Sequence, residues 1–383
     1  MKRRYGYQLQ RIANTDYLLP FGQLIADHMR GISLNSVGVY IWELLEKEMS
    51  RKELHSEYLN RFMDEPDQKD SLIQDLDQFL DMLINLGIIE NDIPTPPHVD
   101  SKPCTYLGIG GLVLKMHCPD ELINASFLKH FRIDPATADQ TVSVIWGESG
   151  GDVNGTVLLK DPELEVYERR ADYLLVFPTL SQINEVHISK DGSSVFFYCK
   201  APFTDALGEQ FFHALRHVFL YLAGRRGMYA IHSASIRYQD KAWLFSASAG
   251  TGKSTHTNLW KKLFGTEFIN GDLNLLAFED GRPVVRGIPW CGTSEIFTKE
   301  TVPLGGIVLL KRGAADKVVE LSDDKKALLV MQRFISPMWT AVQLKESAEF
   351  AEGLSRKIFV CQLFCTKNDS AAEVMKSWID SQK

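Results

Sequence analysis

The stretch from residue 243 to residue 260, WLFSASAGTGKSTHTNLW, constrains the fold of this chain more than any other. Trp243, Leu244 and Phe245 form a short apolar run of strand composition, and the small residues 249–252 follow as a loop. From Ser254 onward the apolar residues recur with helical spacing. A strand, a glycine loop and a helix in this order allow backbone N–H groups and a helix N-terminus to converge on phosphate.

The loop also carries the side chains that phosphate binding needs. Lys253 supplies a positive charge, and Ser254 supplies a hydroxyl ligand for Mg²⁺. The usual GxxxxGK[ST] pattern has glycine where this chain has Ala247, which gives up easy access to a positive φ but keeps the side chain small. An ordinary strand-to-helix turn with a chance Gly-Lys-Ser is the alternative. We predict that the nucleotide-binding residues are Ser248, Ala249, Gly250, Thr251, Gly252, Lys253, Ser254 and Thr255.

Length, charge and cysteine usage bound the class of protein. A chain of 383 residues holds two or three domains, and 45% hydrophobic with 24% charged residues is typical of a folded protein. The net charge of −7 and the lack of a dense Lys/Arg cluster argue against nucleic acid as a partner. No apolar run approaches a membrane span and no signal peptide is recognisable, so we expect a cytoplasmic protein without a membrane partner. The six scattered cysteines are expected to be free thiols.

The first 92 residues predict three helices followed by a short strand. Apolar residues between 36 and 46 fall on one helical face, and Ser50 with Glu53 forms a capping box that opens a second helix. A third helix is predicted from about 68 to 86, ended by Gly87 and followed by a strand at 88–89. This is the layout of a winged-helix domain. Its many acidic residues make DNA a poor partner.

The segments SLNSVGVYIWELL (33–45) and LINLGII (83–89) resemble the PqqD-like domains that capture leader peptides for modifying enzymes. The resemblance covers about residues 20–92 and includes Asn35, Gly38 and Trp42. It implies that a peptide or small protein binds as an added strand and that a peptide-modifying enzyme is a partner. A winged helix that only packs against its neighbour is the alternative.

Composition divides the rest of the chain. Residues 93–104 contain four prolines and predict a stiff linker. Residues 105–203 have alternating strand segments and turn signals, which predict an antiparallel sheet, with one strand over 106–117. Residues 204–383 predict a helix over 204–224, a strand over 229–238 and then an α/β nucleotide core. The predicted fold class is therefore α+β, with domains at 1–92 and 105–383.

Two further residues are candidates for the chemistry. Mg²⁺ beside a phosphate loop needs an anchor besides Ser254, and Asp272 ends an apolar strand at 268–272. Asp272 is therefore the predicted metal ligand, unless it only completes an Asn-Gly-Asp turn. His232 lies one strand before the loop and could orient the γ-phosphate or accept a proton, although a lone strand histidine is more often a core residue. Arg286 and Lys299 could stabilise phosphoryl charge or lie in solvent.

His232, the loop, Asp272 and the segment RGIPWCG (286–292) together resemble the HPr kinase family and related kinases, over about residues 205–375. The resemblance implies a nucleotide core like that of phosphoenolpyruvate carboxykinase, with ATP and Mg²⁺ as cofactors. It assigns the loop lysine and hydroxyl to Lys253 and Ser254, the histidine to His232 and the metal aspartate to Asp272. HPr kinases have two adjacent aspartates at this strand end, whereas this chain has Gly271 before Asp272.

The leading hypothesis is an ATP-dependent kinase that phosphorylates a serine or threonine of a peptide or small protein delivered by the first domain. The predicted catalytic residues are His232, Asp272, Lys253 and Arg286, and the predicted metal ligands are Ser254 and Asp272. Because of Gly271, a peptide-binding chaperone or adaptor switched by nucleotide is the second hypothesis. A sugar or small-metabolite kinase is the third. The sequence leaves open the acceptor, the choice between ATP and GTP, and whether the chain forms a homo-oligomer.

Overall fold

The computed structural model describes residues 1–26, 28–47, 49–63, 65–90, 104–147, 155–169, 171–200, 203–248 and 251–382. They form a mixed α+β protein with two compact units. The first unit contains the described residues of 1–98, 151–156 and 169–171, and the second contains the others. Apart from Cys104, the predicted linker at 93–104 lies outside the described residues.

The first unit combines a small sheet with three main helices. Its strands are β1 (Lys2–Arg3), β2 (Tyr7–Ile12), β3 (Thr15–Pro20), β4 (Ile32–Leu34) and β5 (Ile89–Glu90), and its helices are α1 (Gln23–Ala26), α2 (Ser36–Leu44), α3 (Arg51–Phe62) and α4 (Lys69–Asn85). Strands β2, β3 and β4 form an antiparallel sheet, and β1 pairs with β5. The three predicted helices and the strand after them are confirmed, as is a strand expected near residues 17–19, which is part of β3, whereas its partner β2 was not predicted.

Side-chain caps set where α2 and α3 begin. The Asn35 side chain accepts a hydrogen bond from the N–H of Gly38 at 2.8 Å, which starts α2. The predicted capping box of Ser50 and Glu53 is confirmed in both directions at the start of α3. Behind these caps the helices bury Trp42 and Leu80 in one apolar cluster. Local signals and hydrophobic spacing therefore agree in this unit, which is why the sequence predicted it well.

A nine-stranded sheet occupies the region between residues 105 and 199. Its strands are β6 (Thr105–Ile109), β7 (Leu112–His117), β8 (Arg132–Ile133), β9 (Gln140–Trp146), β10 (Thr156–Lys160), β11 (Glu165–Glu168), β12 (Asp172–Val176), β13 (Ile183–Ser189) and β14 (Ser194–Cys199), with the short helix α5 (Asp120–Asn124) after β7. The strand order is β10-β11-β12-β13-β14-β9-β7-β6-β8.

Two predictions for this region are wrong. The sheet is mixed rather than antiparallel, because β9 runs parallel to both β7 and β14. The single strand predicted over 106–117 is a hairpin, because Gly110 and Gly111 have φ angles of 58° and 79° and turn the chain between β6 and β7.

The remainder of the chain forms a second mixed sheet with helices on both faces. Its strands are β15 (Tyr229–His232), β16 (Ala234–Tyr238), β17 (Lys241–Ser246), β18 (Glu267–Asn270), β19 (Leu273–Glu279), β20 (Arg282–Arg286), β21 (Thr301–Arg312), β22 (Lys317–Glu320) and β23 (Phe359–Cys365), and its helices are α6 (Asp205–Arg225), α7 (Lys253–Phe264), α8 (Asp323–Met331), α9 (Ala341–Ser355) and α10 (Asp369–Ser381). The main strand order is β15-β19-β20-β21-β17-β16-β18, and β23 pairs with β21 and β22.

Ser233 interrupts the strand that was predicted to run without a break from 229 to 238. Strand β15 pairs with β19, whereas β16 pairs with β17 and β18. The backbone N–H of Ser233 donates to the carbonyl of Asp272 at 2.9 Å instead of continuing a ladder. His232 is therefore the last residue of a strand and lies at the edge of the sheet.

Helix α6 joins the two sheets into one hydrophobic core. Its buried residues Phe211 and Phe219 belong to the same cluster as Phe197 of β14 and Leu275 of β19. Phe211 contacts Phe197 with ring centroids 4.8 Å apart, and Phe219 contacts Trp290 at 5.0 Å. The β-rich region and the second sheet are thus packed as one compact unit.

Side chains along β17 and at its end alternate between the two faces of the sheet, and this alternation determines which way Ala247 points at the start of the loop. Trp243, Phe245 and Ala247 face the apolar cluster that includes α7 and α10, whereas Leu244 faces the cluster that includes α8 and α9. Ala247 is buried and is not one of the described residues with a positive φ. The alanine that departs from the usual motif therefore brings no backbone strain, and its methyl group adds to the core.

The structure bears on two expectations from composition, one about the cysteines and one about membrane-spanning helices. All six cysteines are free thiols, as the sequence suggested. Within the described residues, no helix combines the length and hydropathy needed to cross a bilayer.

The buried imidazole of His256 makes stability depend on pH. Trp260 Nε1 donates to His256 Nε2 at 3.1 Å, and burial lowers the pKa of His256 to about 4. In the unfolded chain the imidazole binds a proton below a pKa of about 6.5. The free energy of unfolding should therefore fall as the pH drops from about 6.5 to 4, by at most about 3 kcal/mol for this group.

We expect His256→Gln, which keeps an acceptor near Trp260 but cannot titrate, to reduce this pH dependence. Urea unfolding between pH 7 and pH 4.5 measures it. Burial also lowers the pKa of His217 to about 4, so the variant should lose only part of the slope. An unchanged slope would contradict the assignment.

Candidate functional site

His232 and Asp272, predicted separately from sequence, form a pair in the structure. His232 Nε2 lies 3.0 Å from Asp272 Oδ1, and the two side chains are 36% and 37% exposed. The backbone holds them together, because His232 pairs with Leu273 across β15 and β19 and the Ser233 N–H binds the Asp272 carbonyl. The pair is thus set by strand pairing and remains accessible to a ligand.

The buried amide of Asn270 fixes the turn that carries Asp272. Its Oδ1 accepts hydrogen bonds from the N–H groups of Asp272 at 2.9 Å and Leu273 at 3.0 Å. Its Nδ2 donates to the carbonyls of Ile288 and Trp290 at 3.4 and 3.3 Å. One side chain therefore determines both the orientation of the Asp272 backbone and the course of the segment that follows β20.

The surrounding charges keep Asp272 ionised. The hydrogen bond from His232 is the main cause of a lowered Asp272 pKa, and the electrostatic effects of His232, Lys253 and Arg216 add to it, against the effect of burial. At neutral pH the site therefore contains a carboxylate with one oxygen bound to His232. Within the described residues, no group of three or more His, Cys, Asp or Glu side chains could hold a metal ion.

The segment between β17 and α7 ends in an uncapped helix N-terminus. Gly252 has a φ of 112°, which glycine adopts readily, and α7 begins at Lys253, one residue before the predicted start. Among the described residues, no side chain caps this helix, so the N–H groups of its first turn are available to an anion. Ala249 and Gly250, two of the predicted phosphate ligands, lie outside the described residues.

Lys253 lies between opposing charges. Burial is the main cause of its lowered pKa, the nearby Arg333 adds to the decrease, and the charge of Asp272 opposes it. Ser254 and Thr255 are exposed on the first turn of α7. The lysine and the Asp272 carboxylate therefore act on each other electrostatically, as a site for phosphate and a cation requires.

Arg333 is a site residue that the sequence analysis missed. Its Nη1 lies 3.5 Å from Ser248 Oγ, at the limit of a hydrogen bond, and its carbonyl accepts from the His232 N–H at 3.0 Å. Its buried Nε has no acceptor among the described residues. Arg333 lies in the turn after α8, and we find no local sequence pattern that would have identified it. Only the pairing of this turn with β15 brings it to the loop.

Arg286 is not brought to the His232–Asp272 pair. Its Nη1 donates to the Gly110 carbonyl at 3.0 Å, and its Nη2 binds Glu279 Oε1 at 2.9 Å. Glu279 ends β19, whose first residue follows Asp272, so at roughly 3.3 Å per residue the Cα atoms of Asp272 and Glu279 are about 23 Å apart. The geometry therefore gives Arg286 a structural role. Lys299 is exposed.

Ser294 occupies the space beside Gly271 where a second carboxylate would stand. A Cβ atom at Gly271 would lie 2.0 Å from Ser294 Oγ and 2.4 Å from Ser294 Cβ. The Ser294 hydroxyl donates to the Cys291 carbonyl at 2.6 Å and accepts from the Ile296 N–H at 3.2 Å, so it is held in place. The packing of Ser294 therefore leaves no room for a side chain at position 271.

We expect Gly271→Asp to destabilise the protein by about 1–3 kcal/mol, because the new side chain must displace Ser294. The double variant Gly271→Asp, Ser294→Gly should recover more than half of the loss. Urea unfolding of both variants and of Ser294→Gly alone measures the coupling. A single Gly271→Asp variant as stable as the wild type would show that the segment moves aside freely.

Comparison with known proteins identifies one part of the chain. Residues 24–89 match the model of the family described as Coenzyme PQQ synthesis protein D (PqqD), so the chain contains a PqqD-like domain in its N-terminal part. No curated protein matches the chain.

Among solved structures, the chain is similar to an Hpr(Ser) kinase/phosphatase from Coxiella burnetii, with 14% sequence identity and a TM-score of 0.18. The match covers 25% of this chain and 65% of the length of that chain. A likeness of this size supports no conclusion about fold or activity.

Proposed function

We propose that this protein is a Mg-ATP-dependent kinase of the HPr kinase type that phosphorylates a serine or threonine of a peptide or small protein. The observation that carries the proposal is the His232–Asp272 pair, 3.0 Å apart and electrostatically coupled to Lys253 at an uncapped helix N-terminus. We further propose that residues 1–92 bind the peptide, that 93–104 are a linker and that 105–383 form the kinase domain.

The phosphates of ATP would bind residues 248–255. The N–H groups of the first turn of α7 and the charges of Lys253 and Arg333 are the groups available to them. Ser254 and Asp272 would hold Mg²⁺, which neutralises phosphate charge when bound. These donors suit Mg²⁺ because it prefers oxygen ligands and completes its shell with phosphate oxygens and water.

The imidazole of His232 would accept the proton of the acceptor hydroxyl. The acceptor oxygen bonds to the γ-phosphorus, the bond from that phosphorus to the β,γ-bridging oxygen breaks, and ADP leaves. Asp272 Oδ1 lies within hydrogen-bonding distance of His232 Nε2 and would stabilise the resulting imidazolium. Most of the acceleration would come from positioning and charge, as in other phosphoryl transfers.

The PqqD-like domain would supply the peptide. Strand β4 is an edge of the three-stranded sheet, and among the described residues it pairs only with β3. An edge strand presents backbone groups to which an extended peptide can pair. The partners we propose are a peptide or small protein and the enzyme that modifies it.

One observation favours a second function. Ser294 fills the space beside Gly271, so the site has a single carboxylate where HPr kinases have two. A protein that binds nucleotide without transferring phosphate, and uses the nucleotide to switch peptide binding, would need no second carboxylate. A measurement of ATP turnover distinguishes the two functions, because only the kinase converts ATP to ADP.

Lys253→Ala should weaken Mg-ATP binding at least about tenfold, because it removes a charge-assisted contact to phosphate. Isothermal calorimetry on the full chain measures this. Lys262→Ala is the matched control: this lysine lies on the same helix but pairs with Asp369, and its side chain is 65% exposed. Failure of the wild type to bind Mg-ATP, or equal losses in both variants, would exclude the proposed nucleotide site.

Asp272→Asn should remove the Mg²⁺ dependence of ATP binding and abolish phosphoryl transfer. ADP release is followed with radiolabelled ATP, with and without peptides encoded beside the gene. Transfer by the wild type supports the kinase. Binding without ADP release, together with a change in peptide affinity on adding nucleotide, would instead identify the adaptor.

A further inference from the structure

Arg216 is a half-buried arginine without a direct partner beside the candidate site. It lies on α6, and among the described residues its guanidinium makes no hydrogen bond and no ion pair. Burial lowers the pKa of Arg216, whereas the charges of Asp272 and Glu163 oppose the decrease. A guanidinium removed from water without a partner is costly, and an anion that binds it recovers part of that cost.

The electrostatic neighbours of Arg216 differ from those of the loop cations. Asp272 and Glu163 act on Arg216, whereas Asp272 and Arg333 act on Lys253. Asp272 is thus the group on which both cations act. Lys253 comes from the loop and Arg216 from α6, so the two cations that act on Asp272 belong to different elements.

The surface next to Arg216 is aromatic. Phe212 precedes Arg216 by four residues on α6 and therefore shares its face. Its ring is stacked on Trp290 at 5.7 Å and lies 6.3 Å from Phe127, which in turn lies 5.3 Å from Phe297. Phe127, Phe212 and Phe297 are only half-buried. A cation beside half-buried aromatic rings suits a peptide with apolar and acidic residues better than a small polar metabolite.

We infer that Arg216 binds a carboxylate of the phosphoryl acceptor, so that the acceptor is an acidic peptide with Asp or Glu close to the phosphorylated hydroxyl. This inference rests on the proposed function, because it specifies the sequence of the phosphoryl acceptor. The carboxylate would give Arg216 the partner that the described residues do not provide. Asp272 is already engaged by His232 and does not approach Arg216 as an ion pair.

The test uses two pools of fluorescent nonapeptides with a central serine, one flanked by Asp and Glu and the other by Asn and Gln. Anisotropy gives the affinity of each pool for the full chain, with and without Mg-ADP. We expect wild type to bind the acidic pool about tenfold more tightly, as for a charge-assisted contact, and Arg216→Gln to lose this ratio. Arg225→Gln, on the same helix and paired with Glu346, should keep it.

Two results would overturn the inference: equal binding of both pools by wild type, or a preference for acidic peptides that persists in Arg216→Gln. A loss of Mg-ATP affinity in Arg216→Gln without a change in the peptide ratio would assign the arginine to nucleotide phosphate and also overturn it. If wild type fails to bind nucleotide, the proposed kinase fails. The peptide ratio measured without nucleotide still decides whether Arg216 binds carboxylates.

Discussion

The hydrogen bonds of one buried amide, that of Asn270, organise the candidate site. Its oxygen fixes the turn at Asp272 and Leu273, and its nitrogen fixes the segment at Ile288 and Trp290. Because an unsatisfied buried amide is costly, these contacts admit little variation. His232 then follows through the link between Ser233 and the Asp272 carbonyl. The position of the imidazole therefore depends on a residue that does not touch it.

The chemistry is distributed over elements that are far apart in the chain but packed on one core. Lys253 comes with α7 on one face of the sheet, and Arg333 comes with the turn that pairs along β15. Arg216 comes with α6, whose apolar side also supports the β-rich sheet. Because the β-rich region packs on α6, it helps to fix the position of Arg216.

Local patterns allowed much of this architecture to be predicted. The order of strand, loop and helix around Lys253, the capping box at Ser50 and the helices of the first unit follow from short-range spacing and capping chemistry. The break at Ser233, the parallel neighbours of β9 and the approach of Arg333 depend on pairings between distant segments, which no local pattern encodes. Arg216 did leave a signal, because His213, Arg216 and His217 place three titratable residues on one face of a helix that is otherwise apolar from residue 211 to residue 220.

The packing of Ser294 against Gly271 has a consequence for how this site can change over generations. The two positions are coupled: we expect an acidic residue at 271 to cost less stability once the side chain at 294 has become smaller. A lineage with the present pair therefore loses least stability if position 294 changes first, at a time when that change brings no gain at the site. The coupling therefore favours retention of Gly271. A second carboxylate beside Asp272 is reached most easily through two substitutions, one at 294 and one at 271.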